Sequence, residues 1–196
     1  VFVQPDGPTV LVIGDVVGHD TEAAACMSQL RGVLRGIAYD SREGPAQVLA
    51  RLDTAIAGLE LGALATVLVG RLSQTADGAH RLVWASAGHL PPLVVGPDGT
   101  SRRLTTDRAG LLLGVDPAAV RADAEVVLER GSTLLLYTDG LVERRDQVFD
   151  DGIELLGRAL AEERTRPAEQ LCDALLARLI PDGAEDDVAL VGVRLL

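Results

Sequence analysis

The sequence predicts an α+β layered domain, and three observations carry that expectation. Strand-length apolar runs are joined by short turn sequences, which implies antiparallel neighbours, because parallel neighbours need long crossovers. Helical patterns come in pairs, one pair before most of the strands and one pair after them, which excludes an alternating doubly wound fold. At 196 residues the chain is most simply one domain, residues 1–196, large enough to bury a substantial core.

The elements follow in order. Thr9 to Gly14 is a continuous apolar run of strand length, closed by Gly14 and Asp15. From Asp20 the period changes, and Ala23, Cys26, Met27, Leu30, Val33, Leu34 and Ile37 recur every three or four residues. That is an amphipathic helix over Asp20 to Ala38, with Asp20 or Thr21 as N-cap and Glu22 in its first turn. Pro45 opens a second helix, to Leu59, that turns Val48, Leu49, Leu52 and Ile56 inward. Ala65–Leu72 and Arg81–Ala87 flank the turn Gln74 to Gly78, a hairpin. Leu93–Val95 and Ser101–Leu104 flank Gly96 to Gly99, a second. Ala124–Leu128 and Thr133–Tyr137 flank Glu129 to Ser132, a third. Helices follow over Ile153–Glu162 and Pro167–Ile180, and the last strand is Val188–Leu195.

Composition excludes several functions. Aromatic residues are 3% and net charge is −11, so neither a stacking surface nor a basic face for nucleic acid is present. No stretch of about 18 apolar residues predicts a membrane span, and no signal peptide is visible; a cytoplasmic protein is expected. Cys26 and Cys172 lie in helical apolar patterns and read as reduced core thiols. The chain begins at Val1 rather than Met, as a piece cut from a longer protein would.

Acidic residues at strand ends carry the chemistry. Asp15 ends the first apolar run, Asp139 ends Leu134 to Tyr137, and Glu185-Asp186-Asp187 runs into the last strand. Gathered carboxylates repel and resist desolvation, and a divalent cation removes both costs, so the pattern predicts a hard-metal site of oxygen ligands. For each aspartate a plain turn is the competing explanation. His19 is a candidate proton donor and equally a helix-entry residue. His89, between Gly88 and Leu90-Pro91-Pro92, is read as loop architecture.

Six segments occur in one order: Gly14-Asp-Val-Val-Gly-His19, the helix Ala23 to Arg31, Ser86-Ala-Gly-His-Leu-Pro-Pro92, Leu112-Leu-Gly114, Tyr137-Thr-Asp-Gly-Leu-Val-Glu143 and Asp186-Asp-Val-Ala-Leu190. Across the whole chain this resembles the PPM-type (PP2C-like) serine/threonine phosphatases of the sporulation stage II E / sigma-B regulator class. The resemblance implies an αββα sandwich of two mainly antiparallel sheets flanked by helix pairs. It implies two Mn2+ or Mg2+ ions, with Asp15 bridging, Val16 offering its carbonyl, Asp139 and Asp186 as further ligands, and Asp187 beside them. His19 is the candidate acid for the leaving alkoxide. The implied substrate is a phosphoserine or phosphothreonine protein, typically an anti-sigma-factor antagonist. A homodimer and an upstream sensor domain are further expectations.

Two departures from the family pattern bear on activity. The acidic segment usual upstream of the first strand is expected to be missing, with Val1 to Gly7 starting at the hairpin turn, and Asp20 replaces the glycine usual after Gly-His. A non-catalytic relative that binds a partner is therefore the alternative function, and a structural divalent-ion protein is a third. In the family, the helices Asp20 to Ala38 and Pro45 to Leu59 can act as a switch. Gly32 and Gly36 interrupt the first, either to loosen it or to let a neighbour pack closely.

Overall fold

The computed structural model describes residues 1–18, 20–106, 110–143, 149–181, 183–184 and 186–196. It divides into two compact units, Val1–His89 with Thr106–Val127, and Leu90–Thr105 with Leu128–Leu196.

The first unit carries a five-stranded sheet. Its strands are β1 (Phe2–Val3), β2 (Thr9–Val16), β3 (Ala65–Gln74), β4 (His80–Ala87) and β7 (Ala124–Leu128), in that spatial order. Helices α1 (Thr21–Asp40) and α2 (Pro45–Gly58) belong to this unit. The Asp20 side chain accepts a hydrogen bond from the Ala23 amide at 2.8 Å and caps α1, while Pro45 opens α2 where no backbone donor is needed. Leu30, Leu34, Val48, Leu49, Leu52 and Ile56 from the helices share one buried cluster with Val10, Val67, Val69 and Ala85 of the sheet. Each such valine, leucine or isoleucine contributes about 1.5–3 kcal/mol by leaving water.

The second unit carries a four-stranded sheet in the order β6 (Ser101–Arg103), β5 (Leu93–Val95), β8 (Thr133–Tyr137), β9 (Leu190–Arg194), all paired antiparallel. Helices α3 (Phe149–Glu162) and α4 (Ala168–Leu179) pack Ile153, Leu156, Leu160, Leu171, Leu175 and Leu179 against Leu93, Val95, Leu135 and Tyr137. Each unit is thus one mainly antiparallel sheet with a helix pair, an α+β architecture with two sheets and four helices. No helix among the described residues is long and apolar enough to cross a membrane.

Five details differ from the sequence expectations. The third hairpin does not form: β7 joins β4, while β8 lies between β5 and β9. All five residues of β8 are buried, and that strand takes partners on both sides, its turn amide at Gly131 bonding the Leu195 carbonyl at 2.6 Å. A short strand, β1, does precede the first turn, with Phe2 opposite Val10 and Val3 opposite Thr9. β2 runs on to Val16, so Asp15 lies within the strand instead of closing it. Close packing does not explain Gly32 and Gly36: a Cβ at either would meet no heavy atom within 4 Å beyond its own helical turn among the described residues. Both cysteines are free thiols, half-buried rather than deep in the core.

Candidate metal centre

In the second unit, the fold brings two of the predicted acidic positions onto abutting backbone. β8 ends at Tyr137, and Thr138 then ties the start of the Asp139 turn to the segment leading into β9. Its amide donates to the Ala189 carbonyl at 3.1 Å, its hydroxyl donates to the Asp187 carbonyl at 3.0 Å, and the same oxygen accepts from the Ala189 amide at 2.9 Å. A single turn of 3₁₀ helix follows over Asp139–Leu141, with the Asp139 carbonyl accepting from the Val142 and Glu143 amides at 2.8 and 2.7 Å. Gly140 is required by this crossing. A Cβ there would lie 2.6 Å from the Asp187 carbonyl oxygen and 2.9 Å from that of Asp186.

The carboxylates are held locally. Asp139 Oδ1 accepts from the Gly140 amide at 3.0 Å, and Asp186 Oδ1 accepts from the Asp187 amide at 2.7 Å. Asp139 is half-buried, and Asp186 and Asp187 are exposed. A carboxylate has two oxygens and several lone pairs, so a single amide bond leaves each able to ligate. The donor set is all oxygen, which fits a hard divalent cation that fills its remaining positions with water and other oxygens. Just inside β8, burial pushes the Tyr137 phenol above its usual range, with Arg103 pulling weakly the other way.

The first unit holds Asp15 differently. It sits half-buried in the β2–β3 ladder opposite Thr66, and Val16 is buried opposite Ala65. Gly14 permits the close approach of the strands, since a Cβ there would be 2.6 Å from the Thr66 carbonyl oxygen. The Thr66 hydroxyl lies 2.9 Å from His89 Nδ1, and the Ser86 hydroxyl both accepts from the His89 amide and donates to its carbonyl, each at 3.0 Å. His89 therefore anchors its loop to β3, the role expected of it. His19 lies outside the described residues, as does Glu185.

The backbone segments of Asp139 and of Asp186–Asp187 abut in the second unit, and Asp15 and Val16 lie in the first. Within either unit, and among the described residues, no group of three or more His, Cys, Asp or Glu side chains gathers around a point. Sequence reasoning missed Thr138 and Gly140 as the fasteners of the carboxylate segments, and Thr66 as the neighbour across from Asp15. Thr138 and Gly140 flank the predicted ligand Asp139, but their fastening role depends on the Asp186–Asp187 backbone and leaves no local signal.

Comparison with known proteins identifies the family. The family description for Stage II sporulation protein E (SpoIIE) matches residues 5–196. The chain is 26% identical to the phosphoserine phosphatase RsbU of Bacillus subtilis over 199 residues, 98% of this chain and 57% of RsbU. It superposes with TM-score 0.81 and 35% identity on a Mycobacterium tuberculosis structure of RsbU and RsbW domains, covering 93% of this chain and 50% of that one. The SiaA PP2C domain of Pseudomonas aeruginosa shares the fold at TM-score 0.78 and 20% identity, over 97% of this chain and 76% of that one. The chain thus spans about half the length of RsbU and of the mycobacterial protein. From the turn before β2 to the end of the last strand, it belongs to the SpoIIE family.

Proposed function

We propose that the chain is a metal-dependent protein serine/threonine phosphatase domain that hydrolyses phosphoserine or phosphothreonine on a regulatory protein. Membership of the SpoIIE family and likeness to a phosphoserine phosphatase support the reaction class. The observation that carries the site is the crossing of the Asp139 and Asp186 segments, fastened by Thr138 and admitted only by Gly140. A plain turn at Asp139 needs no such partner segment 47 residues away; a carboxylate pair does.

Asp15 and the Val16 carbonyl in the first unit, and Asp139 and Asp186 in the second, are the proposed oxygen donors for Mn2+ or Mg2+. When bound, such ions acidify a water and offset charge on the phosphoryl oxygens. The chain's own part is to keep its carboxylates in place: Asp15 is carried inside a strand ladder, and Asp139 and Asp186 on backbone that Thr138 locks. Asp187, whose carbonyl accepts from Thr138 and whose amide donates to the Asp186 carboxylate, is a supporting residue. An anti-sigma-factor antagonist is the proposed substrate, a reading supported by the joining of RsbU and RsbW domains in the mycobacterial relative.

The test is Mn2+-dependent phosphate release from a phosphoserine protein substrate, comparing the chain with Asp15→Ala and Asp139→Ala. Each substitution is expected to lower the rate by about a hundredfold or more, the scale of losing one charge-stabilising group at a phosphoryl centre. Full rates in both variants would sink the assignment. A chain that binds Mn2+ and shows no hydrolysis under any condition would be a partner-binding relative instead.

A further inference from the structure

A buried ion pair in the first unit has no part in the chemistry described so far. Asp53 lies in the middle of α2, and Arg121 lies in the segment leading to β7. Their side chains are 0% and 2% exposed. Arg121 donates from Nε and Nη2 to Asp53 Oδ2 at 2.9 and 2.8 Å. The same guanidinium donates to the Leu111 carbonyl through Nη1 and to the Leu112 carbonyl through Nη2 at 3.4 Å. Asp53 Oδ1 accepts from the Gly114 amide at 3.3 Å. The pair therefore grips three backbone groups of one short loop.

That loop is fastened to the strand end that carries Asp15. Between the gripped residues, Leu113 is fully buried and forms an antiparallel bridge with Ala65, its amide donating to the Ala65 carbonyl at 2.9 Å. Ala65 is the register partner of Val16, and the next residue, Thr66, is the partner of Asp15. Gly114 has φ +81°, and a Cβ there would lie 1.9 Å from the Ala63 carbonyl oxygen, so the loop backbone rests directly on the approach to β3. The path from ion pair to carboxylate runs through hydrogen bonds and one strand pairing, all inside one unit.

A buried ion pair is a poor device for stability alone, because desolvation of both charges offsets most of their attraction. An apolar pair of similar size would pack as well. What it would not do is hold several carbonyls and an amide at fixed positions, which the planar guanidinium fork and its carboxylate do. We infer that Asp53 and Arg121 are positioning residues: they fix the 111–114 loop and, through Ala65 and Thr66, the β2–β3 end that presents Asp15 and Val16 to the metal. This rests on the phosphatase reading of Asp15 given above.

The test measures Mn2+ binding by titration calorimetry and amide hydrogen exchange on the same proteins. Arg121→Ala is expected to weaken Mn2+ binding by about tenfold or more, the scale seen when a group supporting a metal ligand is removed. It should also speed exchange at the Leu113 amide and at the Val17 amide, which donates to the Leu64 carbonyl at 2.9 Å just past the β2–β3 end, while leaving Thr75, at the far end of the β3–β4 hairpin, unchanged. Arg121→Lys keeps a cation beside Asp53 but loses the fork, so it should show the same two effects in smaller degree and serves if the alanine variant does not fold. Arg81→Ala, which breaks an exposed pair with Glu125 in the same unit, should leave both readouts unchanged. A lowered melting temperature with unchanged Mn2+ affinity and unchanged Val17 exchange would overturn the inference. If Asp15→Ala itself bound Mn2+ like the parent, the metal reading would fall, while the exchange data would still decide whether Arg121 orders the strand end.

Discussion

The first helix of each pair uses glycine in opposite ways, and the contrast separates the two halves of the molecule. In α3, Gly152 is a packing residue: a Cβ there would sit 2.1 Å from the Val142 carbonyl oxygen, and the helix buries six of its fourteen residues. In α1, a Cβ at Gly32 or Gly36 would meet none of the described residues beyond its own helical turn, and only Leu30, Leu34 and Ala38 of twenty residues are buried. A helix that spends its glycines on close approach is keyed to one position. A helix that spends them on nothing has given up helical stability without a packing return. The carboxylates follow the same division. Asp139 follows β8 at a tight backbone crossing in the unit of the keyed helix, and Asp15 sits within a strand ladder, one pair from its end, in the unit of the loose one.

The largest expected effect tests the keyed side. Gly152→Ala forces a methyl into backbone that cannot retreat, and we expect a loss of about 3 kcal/mol or more by urea unfolding, at the upper end of overpacking costs. A loss under ~1 kcal/mol would mean that α3 slides freely, and the contrast with α1 would disappear. Thr138→Val is the next test and acts on the crossing itself. It keeps the shape of the side chain and removes both of its hydrogen bonds, leaving the Asp187 carbonyl and Ala189 amide short of partners, at about 1–3 kcal/mol for such unsatisfied groups. Mn2+ affinity should fall along with stability. If stability fell alone, the crossing would be a structural knot and not a ligand mount.

These tests also mark where the sequence was readable. Turn glycines and the change from continuous apolar runs to recurrence every three or four residues located nearly every element, because those signals act within a few residues. The hairpin assigned to β7 and β8 went astray because pairing there is decided at long range: Thr133–Tyr137 is buried throughout and reaches for β9, some 57 residues onward. The aspartates stood out for the opposite reason, since a carboxylate abutting a buried apolar run has little local justification. Gly140, Thr138 and Asp53 could not stand out. Gly140 looks like any turn glycine until the Asp186–Asp187 backbone is laid against it. Asp53 sits in an amphipathic helix where only the fold reveals Arg121 across from it.

The smallest expected effect bears on the loose side of the contrast, and its sign is positive. Replacing glycine by alanine inside a helix gains up to ~1 kcal/mol per site when the new methyl meets nothing. Part of that gain comes from restricting the unfolded chain. Gly32→Ala with Gly36→Ala should therefore raise the melting temperature by a few degrees, about 2–4 °C per kcal/mol for a chain of this length. Stability alone does not show whether α1 moves. If the helix must yield for the site to work, the stiffened variant will melt higher and yet respond to Mn2+ with altered affinity or a lower rate, because its bent or partly unwound forms have become costlier. If affinity and rate stay at parent values while the melting temperature rises, α1 is a passive cover, and its two open glycines serve no switch.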